Sequence, residues 1–438
     1  MENYTAYLEN IAIETLEGDD LREKILEAAG SFRTFDVALD EFIQVHGYEG
    51  DIKDISAKTE FIKNAFERES VTPIPRDVRK WYTGHKKIER RTAFQICFAF
   101  ALNKKETDDF FRRVYLERSF DCHSMEEAVY YFCMNNGLGY PEALRIIGES
   151  PAAEVPDIKK SKIKFGNSVL FTSAIIKELE KFSDAEELLL YFRKNVDKFG
   201  YNHAKATEII QKLWNDIFEK DGLADKEKVI LQKGQVSKKK GTFTIYRQIL
   251  GLDDVEEIKV DTEDGKTQII KKVLFVIPAE RTIKPILKNN LLLPAVAEKD
   301  FPNRLTIDKI MKGGHVEHES IRKVLILLKF YSFWLGKIFR GKIESDFDNN
   351  TDEENRELQK QKNMMAYSAD AGDTQRCILS IDKMLMEAGY PELYYGNPYD
   401  WIFLYSSESD EPMTVFREFI RELYLEKEDI CQVGKEEK

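Results

Sequence analysis

The stretch Thr59–Leu102, TEFIKNAFERESVTPIPRDVRKWYTGHKKIERRTAFQICFAFAL, decides the reading of this chain. Near its end Phe94, Cys97, Phe98, Ala101 and Leu102 recur at i, i+3, i+4, i+7 and i+8, one apolar stripe of a helix that begins about Glu89. Before it, Thr59–Glu69 reads as a helix, Ser70–Ile74 as a turn, and Pro75–Thr83 as a second, short helix stopped by Gly84. The neighbouring segments repeat the pattern. Asn103 with Glu106 predicts a capping box that opens a helix burying Phe110, Phe111 and Val114. Ser124 with Glu127 predicts another, with Met125, Ala128, Val129, Phe132 and Cys133 on one face and a stop at Gly137 and Gly139. The expected fold is mainly α: bundles of short helices rather than a sheet.

With 438 residues the chain is too long for a single core, and 42% hydrophobic residues with 28 Phe and 19 Tyr are far from a disordered composition. Cys97, Cys122, Cys133, Cys377 and Cys431 are odd in number and form no CxxC pair, so buried thiols are expected rather than a zinc or redox centre. The first twenty residues lack a basic segment followed by an apolar one, and the greasy run Val324–Phe339 is broken by Lys329 and Lys337, so the expectation is a cytoplasmic protein with no membrane span. A net charge of −12 excludes an all-over coat for nucleic acid, yet Lys53–Arg91 holds eleven Lys and Arg against six Asp and Glu, a local +5.

Four segments are expected: 1–52, an N-terminal helical segment; 53–150, the helical domain just described; 151–302, a middle region; and 303–438, a C-terminal helical domain. Pro151, Pro156 and a lysine cluster mark Glu149–Lys164 as a linker. The middle region reads as helical over about 173–220, followed by one β-hairpin, Ile258–Val260 and Gln268–Val276 around Asp264-Gly265. In the last segment, Ile307–Gly313 and the helix from Glu319 can be laid over Val78–Gly84 and the helix from Glu89, and Gly-Tyr-Pro-Glu stands at both Gly139–Glu142 and Gly389–Glu392. This is either a duplicated unit or the chance return of a helix, glycine and turn pattern.

Thr59–Leu102 resembles the helix-turn-helix of phage-repressor-like proteins of the Cro/XRE type. The resemblance covers roughly a tenth of the chain per copy, and the turn Thr72-Pro73-Ile74-Pro75 is longer and richer in proline than that family's tight turn. It implies duplex DNA as partner, with the second helix in the major groove. On that resemblance Arg76, Arg79 and Lys80 read bases or phosphates, Trp81 belongs to the core, and Lys86, Lys87, Arg90 and Arg91 hold phosphate. In the weaker second copy Asn303, Arg304, Lys309 and Lys312 take these places. A regulatory, mobile-element or defence role is implied, and the rest of the chain resembles only uncharacterised bacterial proteins.

Other chemistry finds no complete motif, so no catalytic residue, metal or cofactor is expected. Gly265-Lys266-Thr267 lacks the earlier glycine of a phosphate loop, and His318-Glu319 lacks the second histidine of a zinc-protease helix. Asp346, Asp348, Asn350 and Glu357 match calcium-loop positions, but Thr351 stands where that loop needs glycine. Two competing functions remain. One is a helical protein-interaction scaffold without DNA binding; the other is a helical RNase using Arg118 and His123, whose Arg-x4-His spacing is similar to that of one RNase class.

Overall fold

The structure is a computed structural model, describing residues 18–83, 88–121, 124–151, 172–196, 199–200, 203–230, 241–252, 255–261, 267–273, 301–314, 316–343 and 371–424. In chain order the helices are α1 Gly18–Ser31, α2 Phe35–Val45, α3 Ile55–Arg68, α4 Val78–Thr83, α5 Arg90–Ala99, α6 Lys104–Phe110 and α7 Met125–Asn135. Then come α8 Tyr140–Glu149, α9 Thr172–Leu179, α10 Ala185–Lys194, α11 His203–Phe218, α12 Leu223–Ile230 and α13 Thr242–Ile249. The strands β1 Val255–Asp261 and β2 Thr267–Val273 pair antiparallel with Ile258 opposite Ile270, and the expected turn at Asp264-Gly265 lies outside the described residues. The remaining helices are α14 Arg304–Met311, α15 His318–Ile343, α16 Ala371–Glu387, α17 Pro398–Ser407 and α18 Pro412–Tyr424.

The chain forms two compact units, one of Leu26–Lys205 with Lys383–Asp400 and one of Met1–Ile25, Ala206–Asp382 and Trp401–Lys438. This division differs from the four expected segments. The helices α9 and α10 follow the expected linker, yet Ile175, Leu179, Leu188, Leu189 and Phe192 bury themselves in the same core as α2 to α8. Proline and lysine composition marks an exposed segment, but it does not say which core the next helix joins. Most of that linker, 152–164, lies outside the described residues.

In the first unit α5 and α7 are central: every residue of Ala93–Phe100 and of Glu127–Met134 is buried. Phe94 packs its ring on Phe111, Tyr130 and Phe120 at centroid distances of 4.5, 5.1 and 5.4 Å, and Phe98 meets Tyr140 at 5.3 Å. A helix buried on all sides needs apolar residues all round, so the single stripe read from the sequence understated its burial. The stripe also ran too far. The helix stops at Ala99, and Ala101 adopts a left-handed φ of 51° and is exposed, while Leu102 N–H returns to the Cys97 carbonyl.

Caps follow local chemistry where nothing stronger competes. Asn103 and Glu106 form the reciprocal capping box of α6, which then loosens into a π-helical turn, Phe111–Tyr115. Ser124 caps α7 through the Glu127 N–H, but the Glu127 carboxylate does not return to Ser124; it accepts from Arg90 and from the Asp121 N–H. The carboxylate is taken up by the guanidinium, a charge-assisted contact, and by the Asp121 N–H, while the Ser124 N–H donates to the Asp121 carbonyl instead.

The second unit is organised around Glu227 of α12, fully buried, which accepts from Arg417 Nη1 at 2.7 Å, Tyr331 Oη at 2.8 Å and Gln248 Nε2 at 3.0 Å. These donors come from α18, α15 and α13. Arg417 also reaches the Gln248 carbonyl at 2.8 Å, and its stem lies where a Cβ on Gly251 (φ +68°) would fall 2.6 Å away. The run Val324–Leu328 with Phe330 and Tyr331 is buried, Phe330 packing on Phe403 and Phe416 at 5.2 Å each. Among the described residues no helix is long and apolar enough to cross a membrane.

Candidate nucleic-acid interface

Three elements build the site. Asp54 caps α3, its carboxylate accepting from the N–H groups of Ser56 and Ala57 at 2.9 and 3.0 Å. The helix ends at Arg68, and Ser70 turns the chain with φ 55° so that Val71 N–H closes on the Phe66 carbonyl. Gln95, buried in α5, donates from Nε2 to the Thr72 carbonyl at 3.2 Å and pins the loop that leads into α4. That loop uses Pro75 and Arg76, so α4 begins at Val78 and not at Pro75, and its six residues make under two turns.

A helix this short has no independent stability. Its inner face, Val78, Trp81 and Tyr82, is buried, and Phe35 meets Trp81 edge-on at 6.4 Å. Its outer face carries Arg79 and Lys80, with Arg76 exposed just upstream. Lys80 Nζ donates to Asp77 at 2.7 Å, and this contact, helped by Arg76 and Lys63, holds the Asp77 carboxyl below its ordinary value. Both partners of that pair are well exposed, so it binds Lys80 only weakly. Among the described residues, Arg76 and Arg79 make no side-chain ion pair.

Beneath α4 lies a polar group that the sequence reading did not single out. Lys58 of α3 is only 3% exposed; its ammonium donates to both carboxylate oxygens of Asp40 at 2.7 and 2.9 Å and stands 4.0 Å above the Tyr82 ring centroid. Burial holds the Asp40 carboxyl above its ordinary value, against the opposing pull of Lys58. In the sequence Lys58 is one cation of a basic run, with no signal of burial.

The other expected contacts fare differently. Lys86 and Lys87 lie outside the described residues. Arg90 corrects the resemblance: all five of its N–H groups are used inside the protein. Nε and Nη2 serve Glu127 at 2.6 and 2.8 Å, Nη1 serves Glu117 and the Arg118 carbonyl at 3.0 and 2.9 Å, and Nη2 also serves the Ser119 carbonyl at 2.9 Å. An arginine has no sixth donor to offer a phosphate. Arg91 is 58% exposed at its side chain and pairs with Glu126 at 3.2 Å.

In the second copy Asn303 is a helix cap, its Oδ1 accepting from Thr306 N–H at 3.0 Å. Arg304 opens α14, but its side chain lies outside the described residues. Lys309 is exposed on a helix anchored by Ile307 and Ile310, Lys312 is exposed just past its end, and Gly313 follows with φ +70°. The helix that would precede α14 falls in 274–300, also outside the described residues.

Arg118 of the RNase pair faces Glu392 at 3.6 Å and lies over the Tyr394 ring at 5.7 Å, while His123 lies outside the described residues. Cys97, Cys133 and Cys377 are free and buried, and burial pushes the thiols of Cys133 and Cys377 up to about 12. Among the described residues no group of His, Cys, Asp and Glu could hold a metal ion. The calcium-like loop and His315 lie outside them. No protein family, curated protein or solved structure matches the chain.

Proposed function

We propose that the first unit binds duplex DNA through α4 and the residues just before it, in keeping with a regulatory, mobile-element or defence role. The observation that carries this reading is the two-faced character of α4. Val78, Trp81 and Tyr82 fasten it to the core while Arg76, Arg79 and Lys80 are exposed, with Asp77 paired to Lys80. Guanidinium and ammonium groups held on a rigid support meet phosphate with little ordering cost, and each released counterion steepens the salt dependence. Arg91 lies within reach of the same role; Arg90 acts as a structural tie.

The test is fluorescence-anisotropy titration of the full chain with random-sequence duplex DNA at two salt concentrations, beside an Arg79→Ala/Lys80→Ala variant whose circular dichroism is unchanged. Salt-sensitive binding that the variant loses is the expected result. Absence of binding at low salt ends this reading and favours a protein-interaction scaffold. That second reading draws on the internal use of Arg90 and on the overall charge of −12, both of which shrink the attraction to a polyanion.

A further inference from the structure

The Lys58 and Asp40 pair is chemically unusual for its place. Lys58 is taken out of water while the Asp40 side chain stays 24% exposed; the buried ammonium repays its desolvation only in part, and an apolar residue of similar size often serves stability as well or better. Burial weighs on Asp40 strongly enough to hold its carboxyl above the ordinary value even with two hydrogen bonds from Lys58. Stability alone therefore does not explain the pair. The two residues come from α2 and α3, and the ammonium they hold faces the ring of Tyr82 on α4 at 4.0 Å. Among the described residues the buried Tyr82 hydroxyl has no hydrogen-bond partner, so the ring face makes the polar contact, not the hydroxyl. A cation above a ring is directional, unlike an apolar contact, and it fixes how the ring and the helix that carries it are turned.

We propose that Lys58 is a positioning residue for DNA binding: with its ammonium fixed by Asp40, it grips the Tyr82 ring and sets the rotation at which α4 presents Arg79 and Lys80. This rests on the DNA-binding reading for its purpose, and on the geometry alone for its effect on α4. The charged group acting on Asp40 besides Lys58 is Asp36 of α2, which with Asp40 and Tyr48 also acts on Tyr82; Tyr48 in turn feels Asp54, Asp51 and Asp40.

The experiment compares the full-length chain with an Asp40→Leu/Lys58→Met double variant, reading thermal midpoint, amide exchange of residues 78–83, and DNA affinity. Expected are a midpoint equal to or above wild type, exchange in 78–83 about tenfold faster, and affinity about tenfold weaker, the size a desolvated cation and ring contact carries. A purely structural pair would move midpoint and affinity together. Wild-type exchange and affinity in the double variant would overturn the proposal. If wild type binds no DNA, the exchange result still decides: faster exchange at an unchanged midpoint sustains the grip and fails only the DNA reading, while unchanged exchange overturns the grip itself. Should the double variant not fold, Tyr82→Phe and Tyr82→Leu take its place. Phe keeps the ring and should match wild type in all three readouts, whereas Leu should show the faster exchange and weaker binding; equal behaviour of the two sinks the proposal.

Discussion

Asp77 sets how much of the outer charge of α4 is open to a polyanion. Its carboxylate holds Lys80 at 2.7 Å, in competition with any phosphate. Asp77→Asn should therefore raise affinity for duplex DNA about threefold and steepen the salt dependence by about one counterion, read by anisotropy titration. Unchanged affinity and slope would mean that Lys80 never meets phosphate. Asp40 carries a different signature. Its folded carboxyl titrates above the ordinary 3.8, chiefly because of burial. Between that value and its folded one, the native state binds the proton more tightly than the unfolded chain, so stability falls as pH rises through the window. Urea midpoints of Asp40→Asn across this range should lack that fall; a slope equal to wild type would show that Asp40 does not titrate as placed.

Among the elements, α5 depends on partners outside itself. Arg90 stands at its first position, where a cation opposes the helix dipole. Glu117 and Glu127 reverse that penalty, and the same guanidinium clamps the carbonyls of Arg118 and Ser119 after the π turn. One side chain thus ties the start of α5 to α7 and to the segment between α6 and α7. Arg90→Ala leaves the buried Glu127 and the half-buried Glu117 without their cation and should lower unfolding free energy by about 3 kcal/mol. Arg90→Lys should recover little, because an ammonium has three donors in a compact head and cannot span two carboxylates and two carbonyls. A urea titration in which Lys behaves as wild type would contradict this account of α5.

For the whole molecule, each unit has its own buried charge network, Arg90 with Glu127 in one and Arg417 with Glu227 in the other. Neither network shares a residue with the other, so their effects should be separable. Under native conditions Arg90→Ala should accelerate amide exchange within 88–149 and leave 206–230 near wild type, while Glu227→Gln should do the reverse. Uniform acceleration by either variant would show that the chain opens as a single cooperative body rather than by units.

Periodicity and caps in the sequence determined the helical class, the three consecutive helices around Thr59–Leu102 and the capping box at Asn103, because these depend on neighbours within a few residues. The outward cations Arg79 and Lys80 were legible for the same reason: Val78, Trp81 and Tyr82 leave them only the opposite face of a short helix. Tertiary structure alone decided that Arg90 is spent on Glu117 and Glu127, that the Glu127 carboxylate serves Arg90 instead of returning to Ser124, that Lys58 is buried, and that α9 and α10 complete the first core. Each of those outcomes turns on groups brought together from distant positions, where a charge, a carbonyl or an apolar surface competes for the same side chain. A pattern of neighbours records what a residue can do locally; which partner wins is settled by packing.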